Sequence, residues 1–128
     1  MRYLLDTQLL LWAGQEPERL SPAARRLIGS DQNTLFFSAA SLWEIAIKAS
    51  LKRQDFKIEL DEFYRQLLAN SYIELPVTAA QAITLKRVKP RHRDPFDRML
   101  LAQAVHERLT LVTADRVLAG YDGPVMQV

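Results

Sequence analysis

The chain has 128 residues and no cysteine, which excludes disulfides, thiolate zinc sites, iron–sulfur clusters and cysteine nucleophiles. Seventeen Lys and Arg against fifteen Asp and Glu give a net charge of +2, too small by itself to indicate nucleic-acid binding. Hydrophobic residues at 48% and charged residues at 25% are typical of a globular protein, and the length predicts one domain over residues 1–128.

Short hydrophobic runs predict strands along the whole chain. These runs lie at residues 2–5, 35–37, 72–75, 109–113 and 124–127. Helical patterns separate the strands, and Ser21, Asp61, Thr78 and Asp94 are expected to cap four of these helices. The predicted helices lie at residues 7–14, 21–28, 38–52 or 41–52, 61–69, 78–88 and 94–109, with a short turn or helix from 115. This alternation predicts a three-layer α/β/α sandwich with a central, mostly parallel sheet.

Four carboxylates stand inside or beside these hydrophobic runs: Asp6, Glu44, Asp97 and Asp115. Asp6 and Asp115 follow predicted strands, and in an open parallel sheet the strand ends form the crevice where ligands bind. Acids that converge there repel one another unless a cation lies between them. A hard divalent cation such as Mg²⁺ suits oxygen ligands. The leading hypothesis is therefore metal-assisted phosphodiester chemistry.

Each acid also has a structural interpretation. Asp6 and Asp115 are good N-cap residues, and Asp97 at the third helical position gains from the helix dipole. Asp94 is expected to cap that helix, which leaves Asp97 to face inward, while Arg98 is expected to orient Asp97 or contact a phosphate. Only the joint pattern favours a site, because four caps need not share one crevice.

Glu44 interrupts the apolar run at 42–47, so it is expected to be at least partly buried. A capping box with Ser41 and an i,i+4 pair with Lys48 are both compatible with its position. If Ser38 is the N-cap, Glu44 lies nearly two turns into the helix and the capping box is lost.

A strip of basic side chains precedes the Asp94–Asp97 segment. Its members are Lys86, Arg87, Lys89, Arg91, His92 and Arg93. Such a strip can bind RNA phosphates even when the net charge is modest, and the alternative is a solvated helix end and loop. His106, well along a helix, is expected to be structural.

Four blocks of sequence carry a resemblance to a known family. They read YLLDT at 3–7, SAASLWEIAIK at 38–48, HRDPFDR at 92–98 with LAQA at 101–104, and LVTAD at 111–115. In this order they resemble the PIN-domain nucleases, and especially the VapC-type toxins of bacterial toxin–antitoxin pairs. The resemblance covers nearly the whole chain and implies the same α/β/α sandwich.

The resemblance also implies roles for particular residues. Asp6, Glu44 and Asp97 match the family's metal-site acids, and Asp115 matches a fourth acid that helps to place a second ion or the attacking water. The supporting residues are Thr7, beside Asp6, and the hydroxyl positions Ser38 and Thr113, together with Arg98. The implied activity is that of an endoribonuclease that uses Mg²⁺ or Mn²⁺.

Partners are implied in the same way: an RNA substrate, a cognate antitoxin protein and a second copy of the chain. Apolar candidates for contact with the antitoxin are Leu9, Leu10, Leu11, Trp12 and Trp43, and the alternative for each is an ordinary place in the core. The chain starts directly with a strand pattern and has no apolar run of about 18 residues, which predicts a cytoplasmic protein.

Two other functions are weighed against the nuclease. A phosphate-signalling receiver domain needs an acid at the central strand end and a later strand-end Lys, whereas the central strand here ends at Ser38. A non-catalytic RNA- or protein-binding module on the same fold would tolerate loss of the acids, and this chain retains all four.

Overall fold

The computed structural model describes residues 1–51, 57–88 and 94–128. Its strands are β1 (Arg2–Leu5), β2 (Thr34–Ser38), β3 (Ile73–Leu75), β4 (Thr110–Thr113) and β5 (Val125–Gln127). They form one five-stranded sheet in the order β3-β2-β1-β4-β5, and every neighbouring pair is parallel. The prediction of a parallel sheet within an α/β/α sandwich is confirmed.

Helices connect the strands and cover both faces of the sheet. They are α1 (Thr7–Gln15), α2 (Pro22–Gly29), α3 (Ala39–Ser50), α4 (Leu60–Ala69), α5 (Ala79–Thr84), α6 (Pro95–Glu107) and α7 (Arg116–Ala119). Single 3-10 turns at Pro17–Arg19 and Leu85–Arg87 complete the secondary structure of the described residues. None of the helices in this described part is long and apolar enough to cross a membrane.

The alternation of side chains along the strands produces two apolar cores, one on each face of the sheet. On β1, Leu5 packs with side chains of α1, α2 and α4, whereas Leu4 packs with α6 and α7. Strand β2 divides in the same way, with Phe37 in the first core and Phe36 in the second. A continuous hydrophobic run is what a strand covered on both faces requires.

The strand order places the candidate acids. Strand β1 is central, so the expectation that the central strand ends at Ser38 was wrong. The chain leaves β1 first toward β2 and later returns on its other side at β4. Leu5 pairs with Val112, so the residues that follow β1 and β4 lie side by side. This reversal of strand order is where parallel α/β sheets open a crevice at their carboxyl edge.

Several helix boundaries differ from the predictions. The prediction of Asp61 as an N-cap was wrong, because α4 begins at Leu60 and Asp61 lies in its first turn. The helix from Thr78 tightens into the 3-10 turn after Thr84. Helix α6 ends at Glu107, where Arg108 adopts a left-handed conformation with φ of 58°.

Candidate acidic site

Asp6 follows β1 and is almost fully buried, with 4% of its surface exposed. Its Oδ1 accepts a hydrogen bond from the Leu9 backbone N–H at 2.9 Å and so caps α1. Its Oδ2 accepts a short hydrogen bond from the Thr113 hydroxyl at the end of β4. Asp6 thus caps a helix and lies at the strand crevice at the same time.

The environment of Asp6 disfavours its negative charge. Desolvation by burial is the largest cause and raises its pKa from the ordinary 3.8 to about 6, against the lowering effect of the Thr113 and Leu9 hydrogen bonds. The negative charges of Asp115 and Glu44 raise this pKa further. The three acids therefore interact electrostatically, and a cation near Asp6 would relieve the cost.

Thr113 and Asp115 form the second strand end of the site. The Thr113 hydroxyl, which is fully buried, donates to Asp6 and accepts from the Asp115 backbone N–H at 3.0 Å. The exposed Asp115 caps α7 by accepting from the Val117 N–H at 2.8 Å. A single hydroxyl therefore fixes the positions of both acids relative to each other.

Glu44 is placed by the start of α3. Ser38 is the N-cap, accepting from the Ala40 N–H at 3.0 Å, so the capping box with Ser41 does not form. Glu44 lies in the second turn of the helix and pairs with Lys48 at 3.1 Å through Oε2. Its other oxygen, Oε1, is buried and has no hydrogen-bond partner among the described residues.

A buried hydroxyl pair joins the elements that carry Asp6 and Glu44. The Thr7 hydroxyl donates to the Ser41 Oγ at 2.9 Å, which ties the first turn of α1 to the first turn of α3. Thr7 is therefore beside the acids, as its position next to Asp6 suggested. Ser41 performs a linking role that the sequence did not indicate.

The fourth acid begins α6. Asp94 caps this helix, because its Oδ1 accepts from the Phe96 and Asp97 N–H groups at 2.8 and 3.2 Å. Asp97 lies in the first turn, half-buried. The prediction that Asp94 would be the cap is confirmed.

All four predicted acids line one cavity of about 340 Å³. The residues that line it are Asp6, Thr7, Gln8, Trp12, Glu44, Lys48, Asp94, Asp97, Ala114 and Asp115. We refer to it as the acid cavity. Gln8 and Trp12, which the sequence analysis did not place at the site, share a face of α1 at i,i+4 spacing.

The donor set of the acid cavity fits a hard cation, although its carboxylates stand apart. Among the described residues, no three acidic or histidine side chains converge closely enough to hold a metal ion. Mutual repulsion keeps like charges apart, and Asp6 is engaged with Thr113 and Leu9. The buried, unpartnered Oε1 of Glu44 is the kind of atom that a metal ligand presents.

Other predicted residues lie away from the acid cavity. Ser38 caps α3 and is not among the lining residues, and neither is the half-buried Arg98. Lys86 and Arg87 are exposed on the 3-10 turn after α5 and do not line the cavity either. Lys89, Arg91, His92 and Arg93 lie outside the described residues.

The residues predicted to contact an antitoxin differ in how far they are buried. Leu9, Leu10 and Leu11 are buried in the first core, so the structure favours the core interpretation for all three. Trp43 is 64% exposed and makes an edge-to-face contact with Phe96, with ring centroids 5.1 Å apart.

Comparisons with known proteins agree with this architecture. The family described as PIN domain matches residues 3–124. Ribonuclease VapC22 of Mycobacterium tuberculosis is 33% identical over 123 residues, which cover 94% of this chain and 92% of that protein.

Solved structures show the same fold at lower sequence identity. VapBC2 from Rickettsia felis, bound to a promoter DNA fragment, has a TM-score of 0.74 at 16% identity over 99% of this chain and 98% of that one. A toxin–antitoxin complex from Klebsiella pneumoniae has a TM-score of 0.63 at 19% identity over 98% and 96% of the two chains.

Proposed function

Since the chain belongs to the PIN domain family, we propose that it is a metal-dependent endoribonuclease and the toxin of a toxin–antitoxin pair. The observation that carries the proposal is the gathering of Asp6, Glu44, Asp97 and Asp115 around one cavity at the carboxyl edge of the sheet. The 33% identical relative is named a ribonuclease, which supports RNA as the substrate class.

In this proposal Asp6, Glu44 and Asp97 hold one Mg²⁺ or Mn²⁺, and Asp115 helps to place a second ion or the attacking water. When bound, such an ion makes a nearby water more acidic and neutralises charge that develops on the scissile phosphate. Thr113 positions Asp6 and Asp115 together through its two hydrogen bonds. Arg98 and the basic strip at 86–93 contact flanking phosphates, so RNA affinity falls as salt rises.

The proposal extends to partners and context. Two observations support a cognate antitoxin: one structural neighbour is a toxin–antitoxin complex, and Trp43 offers an exposed aromatic surface. A single PIN-like domain over 1–128, a homodimer and a cytoplasmic location complete the proposal. We expect a short adjacent reading frame to encode this antitoxin. Its product should bind the chain and suppress its activity.

The test is cleavage of single-stranded RNA with Mg²⁺ by the wild type, Asp6→Asn and Asp97→Asn. Each variant removes one negative oxygen from the acid cavity, so we expect cleavage to fall on the order of 100-fold or more. The matched control is Asp61→Asn, the same chemical change in the exposed first turn of α4, and it should cleave normally. Undiminished cleavage by both cavity variants would overturn the assignment.

The alternative, a non-catalytic RNA- or protein-binding module, has a separate signature. Such a module has no use for a divalent cation, so calorimetric titration of the wild type with Mn²⁺ distinguishes the two. Heat of binding that disappears in Asp6→Asn supports the nuclease. RNA binding without measurable metal binding supports the module.

A further inference from the structure

Lys48 lies on the wall of the acid cavity rather than on open surface. It extends from α3 to within 3.1 Å of Glu44 Oε2, and its side chain is 43% exposed. Of the described residues that line the cavity, it alone carries a positive charge, beside five carboxylates. The only other ion pairs between described residues, Arg19 with Glu16 and Arg65 with Glu62, lie outside this cavity and are more exposed.

The two oxygens of Glu44 have different surroundings. Oε2 is paired with Lys48, whereas the buried Oε1 has no hydrogen-bond partner among the described residues. A buried carboxylate is costly when its partner is removed, because the remaining charge is uncompensated. Lys48 is therefore the group that compensates the charge of Glu44 in the cavity wall.

We propose that Lys48 is the internal counter-ion of the acid cavity and competes with a divalent cation for Glu44. This inference rests on the proposed function, because it concerns the same site. Without a metal, the ammonium group neutralises part of the acid charge and keeps the chain stable. When a divalent cation binds, Glu44 exchanges Lys48 for it, and the half-exposed lysine moves toward solvent.

The geometry explains why a tethered lysine suits this role. Glu44 precedes Lys48 by four residues on one helix, which is the favourable order for such a pair. The lysine stem is long and flexible, so release costs no rearrangement of the backbone. Lys48 consequently lowers the affinity for divalent cations below the value that the carboxylates alone would give. A bound cation can therefore be released, because Lys48 replaces it beside Glu44.

The experiment compares metal affinity and stability in Lys48→Met, Lys48→Arg and wild type. Mn²⁺ is titrated by calorimetry, and thermal melting is followed in EDTA. Lys48→Met keeps the apolar stem but removes the competing charge, so we expect Mn²⁺ to bind about two- to fivefold more tightly. The same variant should melt about 2–5 °C lower in EDTA, because Glu44 loses its partner. Lys48→Arg should resemble the wild type in both measurements.

Two further variants separate competition at Glu44 from a general change in charge. Arg65→Met breaks an ion pair on α4, outside the cavity, and should leave Mn²⁺ affinity unchanged. In a Glu44→Gln background, where the contested anion is absent, Lys48→Met should no longer tighten binding. A purely structural role for Lys48 would lower the melting temperature without raising the affinity.

The outcomes also separate this inference from the proposed function. Equal or weaker Mn²⁺ binding by Lys48→Met, with clear binding by the wild type, would overturn the counter-ion role and leave the nuclease proposal standing. If neither protein binds Mn²⁺, both proposals fail. Tighter binding that persists undiminished in the Glu44→Gln background would also refute competition for Glu44.

Discussion

Two buried polar clusters of this molecule differ in how their charges and hydrogen bonds are satisfied. One is the acid cavity at the ends of β1 and β4. The other lies between α5 and α6, where Gln81 accepts from Gln103 and donates to Glu107, each at 3.1 Å. Gln81 also accepts from the Thr78 N–H at 2.9 Å as half of a capping box. We call this second group the glutamine network.

The glutamine network joins two helices through mostly neutral amides. Gln81 and Gln103 are fully buried, and among their side-chain oxygens and nitrogens only Gln103 Oε1 has no partner among the described residues. The acid cavity instead collects like charges, one of which has its pKa raised to about 6 by burial. Each cluster has one unpartnered oxygen, so the difference lies in charge: neutral amides stabilise a helix interface, whereas clustered anions indicate a place for a cation.

The largest expected effect concerns Asp6 in the metal-free protein. Because burial raises its folded pKa from 3.8 to about 6, the stability contributed by protonated Asp6 is present below pH 4 and is lost as pH rises through 6. Asp6→Asn cannot ionise, so at pH 7 we expect it to be more stable than the wild type by up to about 3 kcal/mol. Urea unfolding in EDTA at pH 4, 5, 6 and 7 measures the difference.

The sign of this change in the free energy of unfolding distinguishes the acid cavity from the glutamine network. Asp6→Asn should gain stability while it loses cleavage, and the gain should shrink toward pH 4. Mn²⁺ should stabilise the wild type and not the variant, because anything that binds only the folded state adds stability. A loss of stability at pH 7 in EDTA would mean that Asp6 is a structural anion like an ordinary cap.

The second prediction concerns the glutamine network, where substitution should cost stability without affecting the site. Gln81→Ala removes one partner from Thr78, Gln103 and Glu107, so we expect a loss of about 2 kcal/mol in the free energy of unfolding. Gln66→Ala, an exposed change on α4, should cost less than about 0.5 kcal/mol. Both are measured by urea unfolding.

RNA cleavage per folded molecule is the second measurement that compares Gln81→Ala with the wild type. Because Gln81 does not line the acid cavity, Gln81→Ala should cleave RNA like the wild type at a temperature where it is folded. Reduced cleavage by fully folded Gln81→Ala would show that the glutamine network affects activity at the acid cavity. The two clusters would then not be independent.

Much of the fold could be predicted because its signals are local. Continuous apolar runs marked the strands, and Ser21, Thr78 and Asp94 announced three helix starts that the structure contains. The start of α4 was missed because Glu59 precedes it without a side-chain capping bond, so no capping residue marked it. The strand order depends on pairing between distant residues, which no local pattern encodes.

The candidate site was predictable only in part for the same reason. Strand ends identified Asp6 and Asp115, and Asp6 caps α1 through Oδ1 while its Oδ2 bonds to Thr113 across the strand crevice. The position of Glu44 depended on which serine begins α3, and only the structure shows that it is Ser38. The hydrogen bonds of Thr7 with Ser41 and of Gln81 with Gln103 join residues 34 and 22 positions apart, so they could not be read from spacing.

The smallest expected effect tests where the boundary of the acid cavity lies. Ser38 is the last residue of β2 at the same edge of the sheet, but its hydroxyl caps α3 and does not line the cavity. Ser38→Ala should therefore cost about 1 kcal/mol of stability, the usual loss for an N-cap. Ser21→Ala, the equivalent change at the start of α2, should cost a similar amount. Mn²⁺ affinity should be unchanged in both, since neither hydroxyl faces the acids. If Ser38→Ala alone weakens Mn²⁺ binding, the site reaches to the end of β2, and the hydroxyl contributes to the metal site as the resemblance implied.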